Sequence, residues 1–423
     1  MKTALLLSPH SDKQEKNLGF KPSLAKSKKK SGIQYDGDKH LVTIAPTGSG
    51  KGRCSIIPTL LEYPGNVVVV DPKGENYAVT ARRRREMGHK VVLLDPFNIT
   101  GHPSDSFNLF DSIKLSKDDP YSECQLITSN LSGSGSMSSD RYWDDTASSL
   151  LAGIIAYLNH KHKDGSACVR QVVEFMFQDD LTYYIAVILD NEKDLPDFVR
   201  DSFIAHISIP SDRTRPCVDS TAHSYLNIFR SPLLIKSMEK STFDLNDFIK
   251  GEPLDIYIVF PPDKMKSHQR VLVQWILTLI KATVSRRSIP EETTLFLLDE
   301  TATLGTMDAL SNFLTLCRGY GVKMWLFFQD LQQIRQYYKD AYHTILNNAG
   351  VLQIFGIENH LNARELQEYT GIPAATFRTL PVNKQVLVVS GKDYIGADKY
   401  DYLNDEKFKK LFDDNPFYGK DGR

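Results

Sequence analysis

Ala45-Pro46-Thr47-Gly48-Ser49-Gly50-Lys51-Gly52-Arg53 decides the fold. A short apolar run, Leu41-Val42-Thr43-Ile44, precedes it, and a helix is expected to begin near Cys54. Strand, glycine-rich turn, lysine and helix is the arrangement that holds nucleotide phosphates. Successive backbone N–H groups and the positive helix end face the phosphate oxygens, and Lys51 adds a point charge. The stretch therefore predicts binding of ATP or GTP through Thr47, Gly48, Ser49, Gly50, Lys51, Gly52 and Arg53. It departs from G-x-x-x-x-G-K-[ST] in two places. Ala45 replaces the first glycine, and Gly52 stands where a Ser or Thr hydroxyl would bind Mg²⁺. A string of this kind also occurs as a plain surface loop, so its surroundings must decide.

Those surroundings alternate strand and helix. Leu41–Ile44, Val67–Val70 and Val91–Leu94 are short, continuous apolar runs, as expected of parallel strands buried on both faces. The last two end in Asp71-Pro72 and Asp95-Pro96, and the carboxyl ends of such strands are where ligands bind in open α/β sheets. Residues 129–139 read as a mobile loop rich in Ser and Gly. Residues 142–160 and 167–230 then carry mostly helical spacing. Strand patterns return at Leu254–Phe260, Thr294–Leu298, Lys323–Phe328, Val351–Phe355 and Gln385–Ser390, with an amphipathic helix over Ser267–Ser285. The predicted fold class is α/β, a mainly parallel sheet interrupted by an inserted all-helical block. The expected division is a flexible Lys-rich N-terminal arm at 1–38, a nucleotide-binding domain from 39–128 and 236–423, and the helical insert at 129–235.

Composition narrows the class further. A length of 423 residues allows about two to three domains. A net charge of −1 argues against a uniformly basic nucleic-acid binder. Lys28-Lys29-Lys30 is a small basic cluster on the arm, with DNA phosphates or anionic lipid as possible contacts. The five cysteines are scattered with no C-x-x-C pair, which predicts a reducing compartment and no zinc site. No apolar run approaches the roughly 20 residues of a membrane span, so a cytoplasmic location is expected.

A second acidic motif supplies the chemistry. Thr294-Leu295-Phe296-Leu297-Leu298 runs into Asp299-Glu300. In a P-loop NTPase the first acid holds Mg²⁺ through water and the second polarises the attacking water. Gln329 follows the next strand, where an amide can sense the γ-phosphate or orient that water. Arg318 lies just before the same strand, on a loop from which a guanidinium can reach a neighbouring subunit's γ-phosphate or remain a surface charge. Asp71 is the candidate for an outer contact to metal or water. The Arg82–Arg85 run falls on a helix and splays round its circumference, which reads as a solvated helix.

Taken together these segments resemble a family. His40 to Arg53, Ile57-Pro58-Thr59-Leu60-Leu61, Asp71-Pro72-Lys73-Gly74-Glu75 and Asp95-Pro96-Phe97 are similar to the TraG-type coupling proteins of conjugation and type IV secretion. So are Leu298-Asp299-Glu300, Arg318-Gly319-Tyr320-Gly321, Phe328-Gln329-Asp330, and the tail from Gly391-Lys392 through Tyr402 to Asn415-Pro416-Phe417. The resemblance spans residues 40 to 420. It implies a RecA-like P-loop ATPase domain of the kind shared with the translocases FtsK and HerA, with an inserted all-α domain. It implies a homo-hexameric, DNA-dependent ATPase that hands relaxase-bound DNA or protein effectors to the channel proteins of a type IV secretion system. On that likeness Lys51 contacts the β/γ-phosphates, Asp299 serves Mg²⁺, Glu300 activates water, Gln329 is the sensor and Arg318 the finger acting in trans. TraG-type relatives often carry glycine at the place of Gly52. Members usually begin with membrane-spanning helices, so the resemblance implies a location at the inner face of the cell membrane, held there by partners or by an anchor absent from this sequence. A soluble FtsK/HerA-like DNA translocase and a nucleotide-binding adaptor with little turnover are the alternatives.

Overall fold

The computed structural model describes residues 5–9, 33–116, 119–132, 141–210, 213–305, 310, 313–315, 317–339, 341–390 and 394–417. Eleven strands are present among them. They are β1 (Leu5–Ser8), β2 (Ile33–Tyr35), β3 (His40–Ile44), β4 (Val67–Val70), β5 (Lys90–Leu94) and β6 (Leu254–Ile258). β7 (Thr294–Leu298), β8 (Val322–Phe328), β9 (Ala349–Ile354), β10 (Lys384–Val389) and β11 (Tyr394–Asp398) follow. Nine of them form one sheet in the order β11-β10-β9-β3-β8-β7-β4-β6-β5. β9 through β5 pair in parallel, whereas β10 runs antiparallel to both β9 and β11. The expected sheet is therefore present, with β11 as an added edge strand. Tyr394-Ile395-Gly396-Ala397-Asp398 is too mixed in polarity to read as a strand from its sequence.

Alternation along the strands divides the core. Val42, Ile44, Val68, Val70, Phe296, Leu298, Leu326 and Phe328 face one side of the sheet, where the helical block packs. Leu41, Val67, Val69, Leu295, Leu297, Trp325 and Phe327 face the other. That second face is covered by α1 (Ile57–Glu62), α2 (Glu75–Glu86) and the β1–β2 ribbon through Ile56, Leu60, Tyr63, Tyr77, Ala81, Leu5 and Leu7. Both ends of the stretch expected to be a flexible arm are thus ordered, because Leu5 and Leu7 bury apolar side chains against the sheet. The Lys28-Lys29-Lys30 cluster lies outside the described residues.

A chain of buried polar groups ties this ribbon to the sheet. Trp325 Nε1 donates to Thr43 Oγ1 at 2.8 Å, and Thr43 donates to Gln353 Oε1 at 2.7 Å. Gln353 Nε2 donates to Gln385 Oε1 at 2.5 Å, and Gln385 Nε2 donates to the Leu7 carbonyl at 2.7 Å. Because each donor in the chain has an acceptor, the network sets register without leaving orphaned groups.

Between β5 and β6 the chain is helical, from Asp111–Leu115 to Leu245–Lys250. α3 (Pro120–Ser132) is helical to its end, so 129–132 of the expected loop are helix, and 133–139 lie outside the described residues. α4 (Arg141–Lys161) is the centre of this block and packs on α5 (Asp197–Ser208) and α6 (Thr214–Leu226). Gly153 permits the close approach, since a Cβ there would lie 2.5 Å from Ser202 Cβ. α7 (Gln269–Val284) joins the block to the sheet: Gln274 Nε2 donates to the Ile127 carbonyl and Trp275 Nε1 to that of Phe107. No helix among the described residues is long and apolar enough to cross a membrane.

The arginine run on α2 does not behave as a solvated face. Arg84 is fully buried and forks onto Asp255, with Nε at 2.6 Å from Oδ2 and Nη2 at 2.9 Å from Oδ1. It also donates to the carbonyls of Tyr63 and Gly65. Arg82 pairs with Asp413 and Glu86, and Arg85 donates to Tyr77 Oη. Burial pushes the Asp255 carboxyl up, but the Arg84 charge and the hydrogen bonds from His89 and Arg84 together outweigh it and hold the carboxyl below its ordinary value. Removing one member of a buried pair strands the other charge and costs about 3–5 kcal/mol. Arg84→Met is expected to lose that much in chemical denaturation, and Arg84→Met with Asp255→Leu to recover most of it.

Candidate functional site

Four neighbouring strands, β3, β8, β7 and β4, end on the same edge of the sheet. Their carboxyl ends present the 45–53 loop, Gln329, Asp299-Glu300 and Asp71 side by side. The loop after β3 is pinned on both flanks, by Ala45 N–H donating to the Phe328 carbonyl at 2.9 Å and Phe355 N–H donating to that of Ile44 at 3.3 Å. Gly48 and Gly50 take φ of 80° and 90°, the left-handed region that only glycine enters without strain. Ser49 Oγ donates to the Pro46 carbonyl at 2.6 Å and closes the turn. Thr47 and Gly48 form its exposed tip. A widened helical turn, Gly52–Ile56, then leads into α1, and such turns recur at functional sites.

Lys51 spans this loop and the acidic strand end. Its Nζ donates to the Ala45 carbonyl at 3.0 Å and lies 3.7 Å from Glu300 Oε1. Gln329 Nε2 donates to Glu300 Oε2 at 3.2 Å. Glu300 adopts φ 57°, a costly conformation for a residue with a side chain. It aims the carboxylate at both Lys51 and Gln329. Asp299 is pushed up to about 7, first by burial and then by the Glu300 carboxylate, with Lys51 opposing. Its Oδ1 is buried without a hydrogen-bond partner among the described residues. A buried carboxylate oxygen with no donor calls for a cation or water. Asp71 is also pushed up to about 7, by burial foremost, and accepts from Tyr77 N–H at 2.9 Å.

Lys51, Asp299, Glu300 and Gln329 are thus brought together, and Asp71 stands beside them. Other candidates are placed elsewhere. Arg318 sits in a turn, Cys317–Tyr320, at the opening of β8. The length of that strand, about 20 Å, separates it from the loop of its own chain. There it binds Asp38, with Nη2 at 2.7 Å from Oδ2. Arg53 turns from the loop onto Asp401, with two contacts of 2.6 Å. Asp95 accepts from Ile99 N–H, Thr100 N–H and the Thr100 hydroxyl, so it shapes its own loop.

The tail contributes residues to which sequence reasoning assigned no role. Lys399 Nζ donates to the Ser49 carbonyl at 3.1 Å and lies over the Phe355 ring at 4.5 Å. Asp401 holds Arg53, and Asn415 Nδ2 donates to Glu75 Oε1 at 2.7 Å. Tyr400, Tyr402 and Phe408 anchor this segment against Ile57, Leu61 and Val79. The tail motif marked the segment, but nothing in its spacing tells that it lies across the loop.

Comparison with known proteins agrees with this geometry. A family model described as Type IV secretory system Conjugative DNA transfer matches residues 7–386. A conjugal transfer protein TraG of Escherichia coli is 27% identical over 383 residues, covering 85% of this chain and 58% of the relative. A VirD4 protein of Rhizobium radiobacter is 22% identical over 412 residues, covering 88% and 58%. This chain thus spans less than two thirds of the length of these relatives. Among solved structures, the plasmid coupling protein TrwB in complex with the non-hydrolysable ATP analogue ADPNP superposes with a TM-score of 0.66 at 14% identity, covering 86% of each chain. That likeness shows the fold, a RecA-like P-loop NTPase.

The loop's shape depends on Gly356. It has φ 71°, and a Cβ there would lie 2.5 Å from Ser49 Cβ. Gly371 has φ 73° with nothing within 4 Å. Both glycine-to-alanine changes are expected to cost about 1–2 kcal/mol through the backbone. Only Gly356→Ala should also weaken binding of a fluorescent ATP analogue, measured by titration.

Proposed function

The chain belongs to the type IV secretory system conjugative DNA transfer family, and on that basis we propose that it is the ATP-driven motor of a coupling protein. It recruits relaxase-bound DNA or protein effectors and delivers them to the channel proteins of a type IV secretion system. The observation that carries this reading is the meeting of Lys51, Glu300 and Gln329 within 3.7 Å at the ends of three adjacent strands. TrwB structures hold ADP with Mg²⁺ and a non-hydrolysable ATP analogue; ATP and Mg²⁺ are the corresponding ligands proposed for this chain.

The residues fit those ligands. The loop with Gly48 and Gly50 at positive φ curls as a phosphate cradle requires. The orphaned Asp299 Oδ1 suits the water shell of a divalent ion. Held near Asp299, magnesium would neutralise charge developing on the transferred phosphoryl group. Lys51 leaves the Ala45 carbonyl for the β- and γ-phosphates. Glu300 then accepts a hydrogen bond from the attacking water, and Gln329 orients it. Arg318 stands too far from this site to serve it in cis, so its role is at the site of the next subunit in a homo-hexamer, with Asp38 exchanged for phosphate. Partners or a further segment bring the motor to the inner face of the cell membrane.

ATP hydrolysis with and without single- or double-stranded DNA, with Lys51→Ala as the blank, tests the proposal. DNA-stimulated turnover that Lys51→Ala abolishes is the expected result. ATP binding without turnover in an assembled ring would favour a nucleotide-binding adaptor, which the engagement of Arg318 by Asp38 also suits. Glu300→Gln should bind ATP and lower turnover by about a hundredfold or more, the scale of general-base catalysis. Unchanged turnover would remove Glu300 as the base. Arg318→Ala should reduce hydrolysis only under conditions where the chain assembles, followed by light scattering alongside phosphate release.

A further inference from the structure

Gly52 leaves the P-loop without the hydroxyl that its position ordinarily supplies to magnesium. The structure places another oxygen there. A Cβ on Gly52 would stand 3.8 Å from Glu75 Oε1, an ordinary van der Waals distance. The Glu75 carboxylate therefore borders the space into which a Ser or Thr side chain would project. Glu75 opens α2, directly after the Asp71 loop. Its carboxylate is held in place, since Asn415 Nδ2 donates to Oε1 at 2.7 Å and also to Tyr402 Oη at 3.0 Å. Tyr402 is itself fully buried.

The site offers a further carboxylate oxygen at the end of β7. Asp299 Oδ1 has no hydrogen-bond partner among the described residues. Among those residues, no three His, Cys, Asp or Glu side chains form a group able to hold a metal. That is the normal condition for Mg²⁺, which keeps several waters and binds through phosphates with one or two carboxylates.

We propose that Glu75 takes over the work of the missing P-loop hydroxyl. Its carboxylate accepts a hydrogen bond from a water on the nucleotide-bound Mg²⁺, and Asn415 from the C-terminal segment holds it in position. Glu75 is a positioning residue that acts through water. The inference rests on the site's being one for a magnesium nucleotide.

The test is a magnesium titration of mant-ATP binding by the full chain. Glu75→Gln keeps an oxygen for Asn415 and removes the charge. It is expected to raise the Mg²⁺ concentration for half-saturation by about tenfold or more, as loss of outer-shell partners does, while leaving magnesium-free binding unchanged. A Cβ at position 52 meets nothing closer than 3.8 Å, so Gly52→Ser combined with Glu75→Gln should restore the wild-type magnesium dependence. Asn415→Ala should shift it in the same direction as Glu75→Gln, by less. The proposal is overturned if Glu75→Gln leaves the magnesium dependence unmoved while Asp299→Asn raises it. Equal weakening with and without Mg²⁺, unrelieved by Gly52→Ser, would also overturn it by showing structural damage alone. A wild-type chain that binds mant-ATP without any magnesium dependence would refute the broader reading of the site instead.

Discussion

The backbone hydrogen bonds that seat β3 between β8 and β9 are the constraint on which the rest depends. β3 pairs in parallel with both neighbours, residue for residue from Leu41 to Ile44. Parallel strands buried on both faces can end only at the sheet's edges, so every loop after a carboxyl end arrives on one side. The loop at 45–53 is held from both flanks, and β8 brings Gln329 up beside it. β7 adds Asp299 and Glu300 one strand further away, and β4 adds Asp71 beyond that. Apart from the neighbours Asp299 and Glu300, these side chains are remote from one another in sequence; they meet because the strands share a direction. The Trp325–Thr43–Gln353–Gln385 chain crosses the same strands and fixes their register from within.

Much of this was legible before any coordinates. Continuous apolar runs marked the strands of the parallel sheet because such strands need no polar face. The glycines of the loop and the acids ending Thr294–Leu298 marked the site because both depart sharply from their apolar surroundings. What stayed hidden depends on long-range contact. Asp255 lies inside a buried strand, and its fork with Arg84, 171 positions away, with further hydrogen bonds from His89 and the Val67 N–H, makes that tolerable. Tyr394–Asp398 becomes a strand by pairing with β10, where neighbours and not its own composition decide. Leu5 and Leu7 are too few to announce a strand, yet the sheet face offers them burial. The tail carried a motif without a position, since nothing local says that Asn415 reaches Glu75.

The site combines too much negative charge with too few cations. Asp71, Asp299, Glu300 and Glu75 neighbour one another, and Lys51 faces Glu300 and Asp299 while Arg53 is drawn off to Asp401. Burial makes Asp71 and Asp299 costly to ionise, and neighbouring carboxylates raise the cost further. A P-loop lysine paired with its own loop carbonyl and an acid is a resting arrangement, ready to exchange those partners for phosphate. Charge crowding of this kind is a liability for stability and an asset for binding a metal nucleotide, because the ligand brings the missing positive charge with it.

Two connections give the site a route to the rest of the molecule. Lys399, Asp401 and Asn415 attach one tail segment to the loop carbonyl at Ser49, to Arg53 and to Glu75. A shift of the loop on taking up phosphate would therefore load that segment at two points, Ser49 and Arg53. Arg318 lies at the other end of β8, where Asp38 precedes the strand that feeds the loop. β3 and β8 are short and fully buried, so they transmit position and not bending. Whatever pulls Arg318 from Asp38 at one edge acts on the two strands whose far ends hold Lys51 and Gln329. On the function proposed above, a neighbour's phosphate would be the group with the charge to do that, and the residue offered to one nucleotide and those proposed to grip another would stand at opposite ends of the same pair of strands.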